Sequence, residues 1–308
     1  MDETVGLESP AWTAGVKRFS HEAMATVFEV QALHPDATYA AQAAHAAFDL
    51  VDRLERELTR FLPNSDVGRI NALAAGQSTR VSPSTMDCLL VARQMYDVTG
   101  GAFDVSIGTG LPSLELAADE SRVRASTGGV RIDLGGIGKG HAVDLMGELL
   151  EDWGIEAAVV HGGFSSVLAL GAPAAQEGWP LTLSDPGPPI RVLVRLARRD
   201  TALGASGVRK GGHIVDPRTG KPAAGRRAAW AVLPRQAAHE RSQAGCGGPR
   251  RAAAAAADAL ATAFMLMRLR DIGALCAASP GLEAWVLPEP ARSGGPPEAL
   301  HFGTPGSS

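Results

Sequence analysis

Hydrophobic residues return at intervals of three or four in two early segments of the chain, a spacing typical of helices with one buried face. The first segment covers residues 37–61, and its apolar stripe consists of Phe48, Val51, Leu54 and Leu58. The second segment opens at Ser82-Pro83, which favours a helix start, and closes at Gly100. Its stripe contains Leu89, Ala92 and Tyr96. We therefore predict two amphipathic helices with a structural role.

Beyond residue 130 the pattern changes to short apolar runs that glycine or proline separates. Apolar and polar positions alternate in VRIDL, residues 130–134, which predicts a strand with one buried face. Five further runs predict strands: AAVV (157–160), SVLALG (166–171), RVLVRLA (191–197), AAWAVL (228–233) and EAWVL (283–287). Strands and helices do not follow a strict βαβα repeat, so the predicted fold class is α+β rather than a doubly wound parallel sheet.

Composition limits the classes of protein that remain. With 308 residues and 45% hydrophobic content, the chain can fill a substantial core. Its formal net charge of -4 gives no general attraction to nucleic acid, so we expect no nucleic-acid partner. The three cysteines Cys88, Cys246 and Cys276 show no C-x-x-C spacing. Neither a zinc site nor a disulfide framework is therefore expected.

We expect one domain with two flexible ends. Residues 1–17 are expected to form a loose lead-in, and residues 289–308, rich in proline, glycine and serine, a flexible tail. The domain covers residues 18–288 and contains an irregular loop at 234–254. No apolar run of signal-peptide length opens the chain, and no segment approaches transmembrane length. We therefore expect a cytoplasmic location.

Four glycines surround Lys139 in the stretch VRIDLGGIGKGHAVD, at positions 135, 136, 138 and 140. A glycine turn between a strand and a helix presents backbone N–H groups and a positive helix end, which suit a phosphate. The alternative is a tight connection in which glycine only supplies positive φ. The stretch matches neither a P-loop nor a G-x-G-x-x-G fingerprint, so the residues alone leave both interpretations open.

Two later stretches carry side chains suited to chemistry. His213 stands in GGHIVDPRTGKP, residues 211–222, directly before a segment that ends in a D-P-x-x-G turn. Asp258 and Thr262 share one face of a predicted helix that is apolar almost all round and should be buried. A buried carboxylate beside a hydroxyl suits Mg²⁺. The alternative is an aspartate in a first turn and a threonine bonded back to its own helix.

Taken together, seven blocks of the chain resemble the ApbE-type FAD:protein FMN transferase family. The resemblance runs from about Ser20 to about Met267, and the blocks occur in family order. They are HEAMATVFEV, with Ala25 where the family has glycine, ELTRFLPNSDVGRIN, TGGAFDVSIG, IDLGGIGKGHAVD, VVHGGFSSVLALG, SG followed by HIVDPRTGKP, and ADALATAF. Any one block is weak, but six or more in order are strong.

The resemblance implies a single ApbE-like, T-fold-like domain with mixed sheets and packed helices. It implies a Mg²⁺-dependent transfer of FMN from FAD to a threonine or serine hydroxyl of an acceptor flavoprotein, with release of AMP. By position in the blocks, FAD would contact Met24, Phe61, Ala102, Phe103, Asp104, Gly135, His141 and His213. The magnesium ion would be held by Asp258, Thr262 and the carbonyl of Gly138.

The implied chemistry is phosphoryl transfer, which requires charge neutralisation and a hydroxyl positioned in line. Lys139 is expected to assist electrostatically, and His213 to accept the hydroxyl proton, with Asp216 as the next candidate.

Departures from the family pattern concern flavin recognition. Val208-Arg209 follow the Ser-Gly pair, and Phe164 stands where the family often has aspartate. Two alternatives stay open. One is an FAD pyrophosphatase, in which water replaces the acceptor hydroxyl, and the other is a flavin-binding protein without turnover.

Overall fold

The structure of the protein is a computed structural model that describes residues 15–174, 176–208, 214–235, 252–290 and 298–304. The strands are β1 (Val16–Ala23), β2 (Thr26–Leu33), β3 (Ser78–Arg80), β4 (Leu114–Ala117), β5 (Arg122–Ala125), β6 (Ala157–Gly162), β7 (Ser166–Leu170), β8 (Trp179–Asp185), β9 (Arg191–Arg198), β10 (Thr201–Gly207), β11 (Arg226–Pro234), β12 (Glu283–Pro288) and β13 (Leu300–Phe302). The helices are α1 (Ala37–Leu58), α2 (Asp66–Asn71), α3 (Pro83–Val98), α4 (Gly138–Asp152), α5 (Ala253–Phe264) and α6 (Leu269–Ala277).

Eight strands form a central sheet in the order β1-β2-β6-β7-β10-β11-β12-β13. A smaller sheet has the order β3-β5-β4, and β8 and β9 form a two-stranded ribbon. Within the described residues, every pairing between these strands is antiparallel. The α+β class is thereby confirmed, with antiparallel sheets and packed helices.

Each face of the central sheet buries a separate hydrophobic core. The larger core lies between the sheet and the helices, and Phe28 and Phe264 are among its fully buried side chains. The smaller core lies between the opposite face and the β8–β9 ribbon, and it is rich in tryptophan: Trp179, Trp230 and Trp285. A sheet buried on both faces is held rigidly, and it supports α5 on its helical side.

The two predicted amphipathic helices are confirmed as α1 and α3. All four residues of the first predicted stripe, which begins at Phe48, are buried in α1. Helix α3 begins at Pro83 after Ser82, whose hydroxyl accepts a hydrogen bond from the Thr85 amide at 3.1 Å. Gly100 follows its end with φ of 59°. The five predicted strands after residue 155 are also present, as β6, β7, β9, β11 and β12.

The predicted strand at 130–134 is wrong. Its apolar residues Val130, Ile132 and Leu134 are buried as the alternation requires, but no neighbouring strand among the described residues pairs with it. The amide of Ile132 donates to the Asn71 side chain at 2.7 Å, and that of Asp133 to the Val105 carbonyl at 2.7 Å. Alternation indicates which side chains are buried, whereas a strand also needs a row of backbone partners on a neighbouring strand.

The expectation of a flexible tail does not hold at Leu300–Phe302. These residues form β13 and pair with β12, through Ala284↔Phe302 and Val286↔Leu300. A strand of three residues carries too little periodicity to stand out in a segment rich in proline and glycine. Most of the irregular loop predicted at 234–254 lies outside the described residues.

Candidate functional site

A cavity of about 650 Å³ opens between the helices and one end of the central sheet. Its walls come from residues 102–105 and 107, the glycine loop (residues 135–140), α5, the ends of β8 and β10, and residues 214, 215 and 217. This volume lies within the range of sites for small molecules and cofactors. The cavity joins segments distant in sequence, as ligand sites at the edges of sheets do.

Helix α5 brings the chemically useful side chains to the cavity. Its sequence is apolar except at two positions, and the expectation that it is buried is confirmed: every residue except Thr262 is buried. Asp258 and Thr262 lie one turn apart and both line the cavity. The Thr262 hydroxyl donates to the Asp258 backbone carbonyl at 3.2 Å, as the alternative interpretation of this pair predicted, and its oxygen can still accept or ligate.

The Asp258 carboxylate is almost completely buried and meets cationic and N–H groups. Its Oδ2 atom accepts a hydrogen bond from the Gly140 amide at 3.2 Å and lies 3.8 Å from the Nζ atom of Lys139. The Lys139 ammonium also donates to the Gly135 carbonyl at 3.2 Å. Burial raises the pKa of Asp258, while Lys139 and the Gly140 amide act to lower it. The carboxylate therefore gains from any further cation that reaches it.

The donor set around Asp258 fits a hard divalent cation. The available ligands are oxygens: one carboxylate and the hydroxyl of Thr262 beside it. Within the described ranges, no three histidine, cysteine, aspartate or glutamate side chains gather in a way that could hold a metal. A single carboxylate suits Mg²⁺, which keeps waters and binds substrate phosphates rather than filling an all-protein cage.

The four glycines around Lys139 do not share one role. None of the four has a positive φ, so the alternative of a simple turn is excluded. Gly135 and Gly136 line the cavity, and a Cβ on Gly136 would lie 3.3 Å from the Phe103 ring and 3.9 Å from the Thr262 hydroxyl. A Cβ on Gly140 would instead lie 2.8 Å from the Ala255 Cα atom in α5. Gly135 and Gly136 leave room in the cavity, whereas Gly140 allows α4 and α5 to pack closely.

Two segments of the chain, residues 24–111 and 108–244, match the ApbE family. The chain belongs to this family. The FAD:protein FMN transferase of Rhodobacter capsulatus is 30% identical over 191 residues, which are 50% of this chain and 36% of that protein. The chain thus spans about a third of that relative's length. The FAD:protein FMN transferase of Vibrio cholerae is 21% identical over 255 residues, 70% of this chain and 75% of that protein.

The fold also agrees with a solved ApbE structure. The apo form of Pseudomonas stutzeri flavinyl transferase ApbE superposes with a TM-score of 0.75 at 19% identity, over 93% of this chain and 94% of that one. At such low identity the likeness concerns the fold alone. In the part of the chain that the structure describes, no helix is both long and apolar enough to cross a membrane.

The cavity brings together seven of the residues that the ApbE resemblance indicates. These are Ala102, Phe103, Asp104, Gly135, Lys139, Asp258 and Thr262. They come from three separate blocks of the sequence, so their convergence is a tertiary feature. His213 lies outside the described residues.

Asp104 shapes the ApbE-family GAFD segment rather than standing free. Its Oδ1 atom accepts hydrogen bonds from the amide and the hydroxyl of Ser106, both at 2.7 Å, and its Oδ2 atom from the Gly108 amide at 2.9 Å. A Cβ on Gly108 would lie 2.7 Å from the Pro217 carbonyl, so this loop meets the HIVDPRTG segment closely. Between these contacts Ile107 is held at φ of 48° with its side chain exposed at the cavity.

Four predicted residues lie outside the cavity lining. Met24 occupies the β1–β2 turn at φ of 50°, and its amide donates to Glu55 of α1 at 2.9 Å. Phe61 is 79% exposed, with the Arg60 guanidinium 4.9 Å from its ring centroid. Gly138 is buried and begins α4. His141 is buried in α4, where desolvation lowers its pKa to about 4 and keeps the ring neutral.

The cavity also contains residues that sequence reasoning did not assign. Arg60 and Asp133 form an ion pair at 3.2 Å in its wall, and Trp230 of β11 lines it from the sheet. Both members of the ion pair stand inside ApbE-family blocks, which is the signal that could have found them. Trp230 gave no comparable signal, because one tryptophan in a buried strand is typical of a core.

Asp216, the second candidate for the proton acceptor, is paired with a neighbouring arginine. The Asp216 carboxylate is bound by the guanidinium of Arg218 at 2.9 Å, which holds the pKa of Asp216 below its usual range. It is therefore a weak proton acceptor.

Phe164, at φ of 57°, stacks on His161 with ring centroids 4.5 Å apart. It occupies the turn between Gly163 and Ser165, which line the cavity.

Proposed function

We propose that this chain is an FAD:protein FMN transferase. It moves FMN from FAD to a threonine or serine hydroxyl of an acceptor protein and releases AMP, with Mg²⁺ as the metal. Membership of the ApbE family and the names of the two relatives support flavin transfer. The observation that carries the proposal is a buried carboxylate, Asp258, that opens into a cofactor-sized cavity beside Lys139 and the glycine loop.

The reaction breaks one bond and forms one. The acceptor oxygen attacks the phosphorus of the FMN half of FAD, the P–O bond to AMP breaks, and AMP leaves with that oxygen. The hydroxyl proton passes to a base. The site must neutralise the charge on the pyrophosphate and hold the hydroxyl in line, and both tasks depend on fixed side chains.

Mg²⁺ would be held by Asp258 and Thr262, with the Gly138 carbonyl as a further predicted ligand, and it would supply positive charge to the pyrophosphate. Lys139 adds a second positive charge from the glycine loop. Gly135 and Gly136 leave space for a bulky ligand where side chains would fill the cavity. Ala102, Phe103 and Asp104 would contact FAD from the cavity wall, and Met24, Phe61 and His141 remain predicted FAD contacts.

His213 is the proposed proton acceptor, because an imidazole with an ordinary pKa near 6.5 serves as a base at neutral pH. The binding of Asp216 by Arg218 removes the obvious substitute. His213→Ala should still bind FAD, while single-turnover transfer at saturating FAD slows by about 100-fold or more. Transfer at the wild-type rate under FAD saturation would assign the proton to another group.

Product analysis tests the function directly. The protein is incubated with FAD and Mg²⁺, with and without an acceptor flavoprotein, and the acceptor mass and free nucleotides are measured. A mass increase of one FMN on the acceptor together with AMP is expected. Equal amounts of free FMN and AMP without acceptor modification indicate a pyrophosphatase, and unchanged FAD indicates a binding protein.

A further inference from the structure

Helix α5 has no capping side chain of its own at either end. Its N-cap residue Ala252 makes no side-chain hydrogen bond, its first turn holds no acidic residue, and its last turn holds no basic one. Unsatisfied N–H and C=O groups at the ends of a buried helix are costly. Other elements must therefore supply the caps, and they also determine where Asp258 stands.

Asp144 of α4 caps the N-terminus of α5 from outside. Its Oδ1 atom accepts a hydrogen bond from the Ala254 amide at 2.9 Å, and its Oδ2 atom one from the Ala255 amide at 2.8 Å. The Asp144 side chain is almost completely buried. Burial raises the pKa of this carboxyl group to about 8, while the two amides act to lower it.

Helices α4 and α5 each place an aspartate side chain against backbone amides of the other. Asp144 in α4 accepts from the amides of α5, while Asp258 in α5 accepts from the amide of Gly140 in α4 at 3.2 Å. Residues 140 and 144 are one turn apart, as are residues 254 and 258. The two contacts therefore fix both the height and the rotation of α5 against α4.

A cationic side chain binds the C-terminal end of α5. The Arg226 guanidinium of β11 donates to the carbonyls of Phe264 and Met267. Between the two caps β10 packs closely against α5, since a Cβ on Gly204 would lie 2.5 Å from the Asp258 amide nitrogen. Asp258 is thus located by its neighbours more than by its own helix.

We propose that Asp144 is a positioning residue for the metal ligand Asp258: it caps α5 in trans and so aims the Asp258 carboxylate at the metal position. The proposal rests on the proposed function only in taking Asp258 as a metal ligand. Removal of an outer partner that orients a ligand typically costs about 10- to 100-fold in metal affinity. Asp144 does not belong to the cavity lining.

The control is Asp66, another buried aspartate that accepts a hydrogen bond from a backbone amide near the start of a helix. Its Oδ2 atom accepts a hydrogen bond from the Ser82 amide at 2.7 Å ahead of α3, and its Oδ1 atom pairs with Arg69. Like Asp144 it is buried, and it does not line the cavity. Asp66→Asn and Asp144→Asn therefore both weaken a buried acceptor, of one backbone amide in Asp66 and of two in Asp144.

Mn²⁺ alone serves as the probe, titrated into the full chain and followed by electron paramagnetic resonance, with thermal melts to confirm folding. Asp144→Asn should weaken Mn²⁺ binding by about 10-fold or more, and Asp144→Ala by more still. Asp66→Asn should lower the melting temperature but leave Mn²⁺ affinity within about twofold of wild type. If Asp144→Ala does not fold, the asparagine variant decides the outcome.

Wild-type Mn²⁺ affinity in Asp144→Asn would overturn the proposal. An equal loss in Asp66→Asn would overturn it too, since the effect would then follow general stability. A wild-type protein that binds no Mn²⁺ would overturn it as well, because Asp144 would then have no metal ligand to position. Mn²⁺ binding without FMN transfer would instead refute only the proposed function.

Discussion

Helices α1 and α5 face the same core but are stabilised in opposite ways. Helix α1 carries its own N-cap, since the Asp36 side chain accepts from the Thr38 and Tyr39 amides at 2.8 and 3.0 Å. It buries one stripe and exposes the other face. Helix α5 is buried on almost every side and takes its caps from α4 and β11. The first helix is specified by its local sequence, and the second by its surroundings.

This difference follows from what each helix carries. A helix in the outer layer can shift by a fraction of an ångström without harm to chemistry. A helix that presents Asp258 must be located from several directions at once, and side chains from other elements achieve this better than local caps. Substitutions at the caps of α5 should therefore disturb both stability and ligand binding, whereas a change at the N-cap of α1 should disturb stability alone.

The largest effect is expected at Asp258 itself. Asp258→Ala should abolish transfer, because the carboxylate is the only charged group among the predicted metal ligands. The variant without metal should nevertheless unfold near the wild-type temperature, because relief of a buried carboxyl group offsets the lost contacts with Gly140 and Lys139. Activity assays and thermal melts measure both, with exposed Asp119→Ala as the control.

The pH dependence of this stability difference has a definite sign. Burial raises the folded-state pKa of Asp258 above its ordinary value of 3.8, so wild-type stability falls as the pH rises above that value. The alanine variant lacks this loss. Its stability relative to the wild type should therefore decrease as the pH is lowered toward about 4. Full Mg²⁺-dependent activity in Asp258→Ala would remove this residue from the site.

A second large effect is expected at the contact between β10 and α5. A Cβ on Gly204 would overlap the Ala257 carbonyl and the Asp258 amide, and backbone cannot move aside as a side chain does. Gly204→Ala should lower the free energy of unfolding by about 3 kcal/mol or more. Gly128→Ala, whose Cβ would lie 3.5 Å from the Ala75 amide, is the control. Equal melts for the two variants would show that α5 can shift.

A moderate effect is expected at the cap of α1. Asp36→Ala should cost about 1 kcal/mol of stability, because two amides lose their acceptor at an exposed helix start. Mn²⁺ and FAD affinities should stay at wild-type values. Denaturant unfolding and ligand titration provide the comparison, and a loss of ligand affinity would mean that α1 also positions the site.

The smallest effect concerns the β1–β2 turn attached to α1. Met24 and Ala25 both have left-handed φ, at 50° and 56°, which costs free energy for residues with a Cβ. Ala25→Gly should raise stability by about 0.5 kcal/mol, as the relieved strain slightly exceeds the added entropy of the unfolded chain. Urea unfolding measures this, and a destabilised variant would show that the turn is unstrained.

Local patterns predicted the outer layer well. The stripe of α1 and the Ser82-Pro83 start of α3 could be recognised because a helix period and a cap lie within a few residues. The strand at 130–134 failed since Asn71 and Val105, the partners of its amides, are distant in sequence. Strand β13 was missed because pairing, not periodicity, defines three residues as a strand.

The site could be predicted only through its blocks. Residues with reactive groups, such as Asp258 and Lys139, stood out and meet in the cavity. The caps of α5 did not, because nothing near Ala254 in sequence indicates that Asp144, 110 residues earlier, satisfies its amide. The roles of the glycines were also hidden: Gly136 and Gly140 look alike in the sequence and face a cavity and a helix respectively.

Trp230 gives the protein an internal optical reporter. Its indole is almost fully buried in β11 yet forms part of the cavity wall, whereas Trp153 lies at the far end of α4. Flavins absorb light where tryptophan emits, so a flavin held in the cavity would quench Trp230 more strongly than Trp153. Replacing Trp230 with phenylalanine would then identify which part of the fluorescence change reports occupancy, without any label attached to the chain.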